Sequence, residues 1–275
     1  MLIGADINGT GDMLAGGAPI LRDRLFKPSD CPYVRQWIDF RDPETMTFDS
    51  GSPGDRYRTF NRIEDKSGHG NALRNWVGQK YSPHYDALLR RLYSNNSQSS
   101  AGKVLRSHNG NNYYFLRGAE GWGYFVAYGF TNTSASRRLF DAIHPNVLFS
   151  AWNGGQGGIH INGNPRRLRP YTNDTAIHVW SARRLANGQL IQDWDATTRA
   201  AWSSSWGGDI SMSVNWGRYR GSEHSRYFQI FSIIATAGDL PLDDYETLRA
   251  YTAWHADQPH RLPDNHPWRH RPPTA

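Results

Sequence analysis

The sequence predicts an all-β fold, a single sandwich of two antiparallel sheets, from three observations. Short segments rich in aromatic and β-branched residues recur along the chain, and turn signals separate them at the spacing typical of a sandwich. The 275 residues include 27 Gly and 11 Trp, which favour many tight connections around a sizeable core. Neither a repeat of fixed period nor an interdomain linker interrupts this pattern. We therefore expect one domain.

The strand signals begin at residues 33–40, which alternate with a period of two around Val34, Gln36 and Ile38. The dipeptide Asn187-Gly188 predicts a tight hairpin between the segments on either side of it. The remaining predicted strands are residues 112–117, 122–130, 146–152, 158–162, 176–183, 190–195, 210–215 and 226–235.

Two short helices are expected beside the strands. Ser82-Pro83 resembles a helix start, and Tyr85, Leu88, Leu89 and Leu92 follow at helical spacing, which predicts one short inserted helix. After the last strand, residues 245–255 predict a C-terminal helix, and a Pro-rich tail closes the chain. We expect Leu248, Tyr251 and Trp254 to form the buried stripe of that helix, and three strand tryptophans to lie in the core: Trp37, Trp122 and Trp180.

Two motifs resemble those of a known family. The loop Asp65-Lys-Ser-Gly-His-Gly-Asn71 places two glycines between Asp and Asn, which predicts a tight turn with left-handed backbone positions. The ending combines the helix with Leu262-Pro-Asp-Asn-His-Pro-Trp268 and Pro272-Pro273. Together they are similar to the "DxSGxGN" loop, and to the ending with "EGYLAxKWGL", "LPxxHPY" and Pro-Pro, of concanavalin A-like (laminin G-like) jelly-roll domains in bacteriophage tail and virion surface proteins.

The resemblance covers roughly residues 33–273 and implies a jelly-roll, lectin-like domain at residues 33–275. It also implies a protein made in the bacterial cytoplasm and carried on a virion surface, as a tail fibre, head spike or gene-transfer-agent spike. Residues 1–32 would be an N-terminal arm that attaches to other virion proteins, or a strand that starts the sandwich. A homo-oligomer is compatible with this setting.

Composition narrows the partners of the protein. Its formal net charge of +6 suits an anionic polysaccharide, an acidic partner or nucleic acid. Arg outnumbers Lys by 27 to 4, which reflects either a GC-rich genome or bidentate recognition of carboxylates and phosphates. The basic groups are dispersed and no nucleic-acid-binding module is visible, so nucleic acid is not expected as the partner. Membrane-span and signal-peptide patterns are absent, and the single Cys31 excludes an intrachain disulfide.

Catalytic motifs are missing from the sequence. None of the five glutamates is followed two residues later by Asp, so the paired acids of jelly-roll glucanases are absent. Asp193-x-Asp195 places two carboxylates on one strand face but without a Glu partner. A Gly-x-Ser-x-Gly elbow does not occur, and His266 and His270 lie in the Pro-rich tail, where hydrogen-bonded histidines are favoured over a zinc site. We therefore expect no enzyme activity.

Calcium is the one cofactor that the sequence leaves open. Asp65 and Asn71 of the glycine loop, and also Asp209, offer the oxygen ligands that calcium prefers. The alternative, which we favour, is that Asp65 caps its own loop through side-chain hydrogen bonds.

Carbohydrate binding has the most support among the candidate functions. Sugar rings need flat aromatic faces beside amide or guanidinium groups, and three loops combine these. Trp206 and Trp216 flank one predicted strand, so they are expected at its opposite ends. The candidate binding residues are Trp152, Asn153, Trp206, Asn215, Trp216, Arg218 and Tyr219.

Three hypotheses follow for the function. The first is a non-enzymatic virion surface protein that binds host cell-surface polysaccharide. The second is a structural decoration or adaptor subunit that uses the same fold for protein contacts without glycan binding. The third, a glycan-degrading enzyme, has the least support because paired catalytic carboxylates are missing.

Overall fold

The structure, a computed structural model, consists mainly of antiparallel strands with one α-helix among the residues it describes. These are residues 24–51, 55–75, 84–94, 103–107, 120–131, 137–142, 147–152, 156–161, 164–168, 174–196, 198–203, 212–216 and 228–275.

The strands form two antiparallel sheets. The first sheet has the order β1, β17, β8, β13, β14, β15. Its strands are β1 (Val34–Asp39), β8 (Trp122–Phe130), β13 (Ile177–Arg184), β14 (Gln189–Trp194), β15 (Thr198–Ser203) and β17 (Phe228–Ala237).

The second sheet has the order β2, β3, β4, β7, β16, β9, β10, β11, β12. Its strands are β2 (Met46–Ser50), β3 (Tyr57–Ile63), β4 (Leu73–Asn75), β7 (Lys103–Ser107), β9 (Arg137–Ala142), β10 (Val147–Trp152), β11 (Gln156–Ile161), β12 (Asn164–Leu168) and β16 (Met212–Trp216). The hairpin of β5 (His84–Asp86) and β6 (Arg91–Ser94) links the sheets, because β5 pairs with β3 and β6 pairs with β17.

That hairpin corrects the prediction of an inserted helix. Tyr85 and Leu92 are direct partners across the two strands, and both are buried. Leu88 and Leu89 occupy the turn instead and are 71% and 45% exposed. The helical spacing was misleading because a short hairpin also brings its first and last apolar residues to one face, while its tip carries no packing constraint.

The central strands of the first sheet are buried on both faces. In β8, Val126 belongs to the main apolar cluster between the sheets, whereas its neighbour Phe125 packs against Tyr245 of the helix α1 (Leu242–His255) with 5.2 Å between ring centroids. Every residue of β8 is therefore buried. The same arrangement covers β1, where the predicted strand is confirmed and both Trp37 and Ile38 are buried.

The C-terminal helix is confirmed and lies on the outer face of the first sheet. Leu248 is buried in the cluster that joins helix and sheet, as predicted. Trp254 is only half-buried, so its prediction as a core residue is wrong. Its indole nitrogen donates a hydrogen bond to the carbonyl of Trp268 at 2.6 Å, because the tail folds back along that side of the helix. Trp122 and Trp180 are buried, as predicted.

The chain ends meet beside this helix. Leu25 forms an antiparallel bridge with Thr274, and the Phe26 amide donates to the Pro273 carbonyl at 2.9 Å. Phe26 also packs edge-on against Tyr251. Of the predicted arm at residues 1–32, residues 24–32 thus contact the domain, and residues 1–23 lie outside the described residues. Among the described helices none is long and apolar enough to cross a membrane.

Candidate carbohydrate-binding site

Three predicted sugar-binding residues lie where two strands of the second sheet end on the same side. We call this line of strand ends the edge; it is not an outermost strand. Trp152 is the last residue of β10, and Asn215 and Trp216 are the last residues of β16. The strand between them, β9, starts beside the end of β10, because Arg137 pairs with Ala151. It ends beside the start of β16, so the end of β16 lies at the same edge as the end of β10. Two strand spacings, about 10 Å, separate these strand ends.

Four of the predicted residues lie outside the described residues. Asn153 directly follows Trp152, and Arg218 and Tyr219 follow Trp216 by two and three positions. Trp206 falls in the sequence between the end of β15 and the start of β16, and its expected place at the strand end opposite Trp216 stays a prediction. The sugar-binding roles of all seven candidates stay predictions.

The register sorts the strand residues onto two faces of the second sheet. Directly paired residues share a face, and residues two apart along a strand share one too. The exception is the register shift in β9, where Arg138 and Phe140 pair with the consecutive residues Ser150 and Phe149 and are therefore assigned to opposite faces. One face, which we call the polar face, carries a row that crosses four strands. That row consists of Arg138, Ser150, Gly158 and Arg167.

The polar face continues on both sides of this row. Trp152 and its partner Gln156 form the next row toward the edge. His160 and Asp141 lie in the row on the other side, since both pair with Leu148. Ser213 pairs with Asp141, so Asn215, two residues further along β16, also lies on the polar face.

The opposite face, which we call the apolar face, has a different sequence pattern. Phe140, Phe149 and Ile159 form a row across β9, β10 and β11. Val214 pairs with Leu105 on this face, and Trp216 follows two residues later. The two tryptophans at the edge therefore differ: Trp152 belongs to the polar face and Trp216 to the apolar face. Sequence alone could not separate them, because both end a strand next to Gly or Asn.

The two carboxylates of Asp193 and Asp195 lie beneath the C-terminal helix and are buried. Asp193 accepts a hydrogen bond from the Tyr245 hydroxyl at 2.7 Å. Asp195 follows the end of β14 with a φ of 49°, accepts from the Val179 amide at 2.9 Å and lies 2.6 Å from the His178 Nδ1. Both acids therefore bind protein groups that join the sheet to the helix and tail.

Asp65 organises the glycine loop. Its two oxygens accept from the Trp37, Ser67 and Asn71 amides and from the Ser67 hydroxyl, at 2.7–2.9 Å. Gly68 and Gly70 adopt φ values of 85° and 73°, as predicted. The Asn71 amide group is itself buried and donates to the Arg35 carbonyl. This is the loop-capping arrangement that we favoured, and calcium binding at Asp65 and Asn71 stays a prediction. Among the described residues, no cluster of three His, Cys, Asp or Glu could hold a metal ion.

The structure contains a further polar cluster that was not predicted from the sequence. Asp39 at the end of β1 accepts from Lys66 Nζ at 3.0 Å and lies 2.8 Å from His255 Nε2 at the end of α1. Burial alone would raise the pKa of Asp39, but the hydrogen bonds and charges of His255 and Lys66 outweigh it and lower the pKa to about 2. The three residues are far apart in sequence, so no local pattern could indicate that they meet.

Comparison with known proteins supports the fold. Neither a protein-family model nor a curated protein sequence matches the chain. Among solved structures, the botulinum neurotoxin serotype D/C VPI 5993 binding domain matches at a TM-score of 0.54 and 8% identity, over 81% of this chain and 52% of that chain.

A second matching structure is Trypanosoma rangeli sialidase in complex with 2-keto-3-deoxy-D-glycero-D-galacto-2,3-difluoro-nononic acid. Its TM-score is 0.50 at 10% identity, over 83% of this chain and 33% of that chain. The botulinum neurotoxin serotype D binding domain also matches, with a TM-score of 0.50 at 10% identity. This chain therefore spans a third to about half of the proteins it resembles, and at such low identity the likeness establishes a β-sandwich and no more.

Proposed function

We propose that this protein is a non-enzymatic carbohydrate-binding protein whose site lies on the polar face of the second sheet, at the edge that holds Trp152 and Asn215. The observation that carries the proposal is their meeting at this edge, although 62 positions separate them in the sequence. An indole ring stacks on the C–H surface of a sugar ring, and an amide both donates to and accepts from hydroxyls.

The neighbouring loops add groups of the same chemistry. Asn153 follows Trp152 directly, and Arg218 and Tyr219 come shortly after β16 leaves the edge. The matched toxin structures are binding domains, and the matched sialidase holds a nononic sugar acid. The folds of these proteins, and the class of ligand in the sialidase, are compatible with carbohydrate binding by this chain. That compatibility is the support they give.

The proposal includes the absence of glycan hydrolysis. Asp193 and Asp195, the two acids that the sequence places on one strand face, are buried and hydrogen-bonded to the helix and to β13. A glycosidase needs two carboxyl groups that both reach the scissile bond.

We also propose that the glycan belongs to a bacterial surface and that the protein is carried on a bacteriophage or gene-transfer-agent particle. The support is the similarity of the Asp65–Asn71 loop and the Pro-rich ending to those of virion jelly-roll domains. Residues 1–23 would then reach toward other virion proteins. Mass spectrometry of particles purified from a producing strain should detect the chain, and its absence from such particles would contradict this setting.

The binding site is tested by glycan-array and capsule pull-down measurements on the purified protein at low salt. We expect Trp152→Ala to weaken binding roughly tenfold or more, because a stacked aromatic face is lost. Trp216→Ala is the matched control from the same edge: it should lower the free energy of unfolding and leave the affinity of the folded protein unchanged.

Each other outcome has a defined meaning for the proposal. Loss of affinity in folded Trp216→Ala, with Trp152→Ala unaffected, would move the site off the polar face. A purified protein that binds no glycan would refute carbohydrate binding and leave the decoration or adaptor role. Release of reducing ends from a capsule preparation would refute the absence of enzyme activity.

A further inference from the structure

Positive charge is concentrated on part of the second sheet. The six strands β7, β9, β10, β11, β12 and β16 carry six basic residues and one acidic residue, Asp141, a surplus of five. The whole chain has a formal surplus of six. These strands therefore account for most of the net charge of the protein, although charges balance elsewhere. The basic residues on the polar face are Arg106, Arg138 and Arg167, whereas Lys103, Arg137 and Arg166 pair with residues of the apolar face.

The register arranges part of this charge into a row on the polar face. Arg138 on β9 pairs with Ser150 on β10, which pairs with Gly158 on β11, which pairs with Arg167 on β12. Three strand spacings separate the two arginines, about 14 Å at the usual distance between neighbouring strands. The two positions between them hold Ser150 and Gly158, the smallest residues of the row, so two cationic positions flank two small ones.

The rows beside the arginine row complete a surface suited to a chain of sugars. Trp152 and Gln156 lie one row toward the edge, and both offer groups that bind sugar rings or hydroxyls. On the far side, Arg106 pairs with Ser213, which extends the cationic character across β16 to β7. The distance between the two arginine positions exceeds the length of a single sugar ring. A ligand that binds both arginines therefore needs more than one negative group.

We propose that the ligand of the polar face is an acidic polysaccharide, a polymer whose carboxylate or sulfate groups bind Arg138 and Arg167 while its rings cross the row over Ser150 and Gly158. This inference rests on the proposed carbohydrate-binding function and adds the chemical class of the ligand. The guanidinium group suits the role because it binds carboxylate and sulfate oxygens with two parallel hydrogen bonds and stays charged at every physiological pH.

Nucleic acid is the competing polyanion, and the polar face fits it less well. Proteins that bind single strands place several aromatic rings along the path of the backbone so that successive bases can stack. The polar face holds one aromatic residue on its described strands β7, β9–β12 and β16, Trp152, at the end of the row. No duplex-binding module accompanies the charge.

The test compares four polymers on the full chain by biolayer interferometry. Polygalacturonate presents carboxylates, dextran sulfate presents sulfates, unmodified dextran presents neither, and a mixed-sequence DNA supplies phosphates without pyranose rings. Binding is measured for the native protein and for the double variant Arg138→Gln, Arg167→Gln. The matched control is Arg90→Gln, Arg271→Gln, which removes the same charge from two exposed positions in the β5–β6 turn and the tail.

We expect the native protein to bind at least one acidic polysaccharide, with neutral dextran and DNA bound at least tenfold more weakly. The Arg138→Gln, Arg167→Gln variant should lose about tenfold or more in affinity for the acidic polymer, whereas the control variant should keep it. Raising the salt from about 20 mM to about 500 mM should weaken native binding, since the Debye length falls. The two acidic polymers together decide whether the surface prefers carboxylates or sulfates.

Failure of this inference can be told apart from failure of the proposed function. Equal affinity for neutral and acidic glycans, insensitive to the double variant but lost in Trp152→Ala, would overturn the acidic ligand and keep carbohydrate binding. Binding of DNA as tightly as of any polysaccharide, lost in the double variant, would overturn the inference in favour of a general polyanion site. No binding to any of the polymers, and none on the glycan array, would overturn both.

Discussion

The two sheets of this protein use charged residues in opposite ways. On the outer side of the first sheet, the C-terminal helix and the tail cover the strands, and the buried Arg249 lies beside two carboxylates, Asp193 and Glu246. On the described strands β7, β9–β12 and β16, the polar face carries Arg106, Arg138 and Arg167 and one acidic residue, Asp141. Breaking a buried pair destabilises a fold, whereas a group of like charges attracts a ligand of opposite charge.

The paired charges of the first sheet converge on Arg249 of the helix. Its guanidinium donates to the Asp195 carbonyl at 2.6 Å and to Glu246 at 3.2 Å, and it lies 3.9 Å from the Asp193 carboxylate. The tail adds Arg261, which donates to the Asp195 carboxylate at 3.3 Å. These contacts hold the helix and the tail against β13 and β14. We therefore expect substitutions in this region to have the largest effect on the free energy of unfolding.

The largest effect is expected when one member of this network is removed. Arg249→Met keeps most of the side-chain volume but removes a cation from beside the buried Asp193 carboxylate and the guanidinium that donates to the Asp195 carbonyl. We expect the free energy of unfolding in urea to fall by about 3–5 kcal/mol. Arg271→Met, at an exposed position of the tail, is the control and should change it by less than about 0.5 kcal/mol. A loss below about 1 kcal/mol for Arg249→Met would mean that the network contributes little to stability.

An intermediate effect should follow from acid. The pKa of Asp39 is about 2 in the folded protein and about 4 in an unfolded chain. Between these values the unfolded chain binds more protons, so the stabilisation is complete above about pH 4 and is lost as the pH falls through 2. It amounts to about 2 kcal/mol.

Asp39→Asn should flatten the fall in unfolding free energy across this pH window, as followed by urea titrations at successive pH values. Asp257→Asn is the control, since Asp257 is exposed and pairs only with Arg41 among the described contacts. An unchanged pH profile in Asp39→Asn would show that the cluster with His255 and Lys66 does not hold the proton off Asp39.

The smallest effect on stability is expected where the effect on binding is largest. Arg138→Gln, Arg167→Gln should change the free energy of unfolding by less than about 0.5 kcal/mol, because the proposal assigns both guanidinium groups to a ligand and not to a protein partner. The urea midpoint of this double variant measures it directly. If the free energy of unfolding fell as much as in Arg249→Met, the arginines of the second sheet would also stabilise the fold. The contrast between the two sheets would then be wrong.

Local patterns were sufficient for most of the elements. The alternation at Val34–Asp39, the Asn187-Gly188 hairpin and the helical stripe through Leu248 depend on neighbours within a few residues, and the structure contains all three. The helix predicted around Leu88 and Leu89 was wrong because that prediction, too, used only neighbours within a few residues. Its local spacing fits a helix, but β3 and β17 offer it strand partners that lie far away in the sequence.

The residue types of the candidate site could be predicted from the sequence, but their positions relative to one another could not. Aromatic and amide residues in Gly-rich turns marked Trp152, Asn153, Asn215 and Trp216 as binding residues, with Arg218, Tyr219 and Trp206 beside them. Which of them share an edge depends on strand order, and which share a face depends on register. A shift of one residue in β10 would move Trp152 to the apolar face, and a shift of one residue in β16 would move Trp216 to the polar face.

The sequence by itself determined the β-sandwich class, the glycine loop at Asp65 and the C-terminal helix, because turn chemistry and periodicity act between near neighbours. Only the tertiary structure decided that Asp193 and Asp195 are buried beneath a helix, and that Arg138 and Arg167 end one row of the second sheet. Burial and row membership come from pairing between distant strands, for which the free energy depends on the whole fold and not on any single segment.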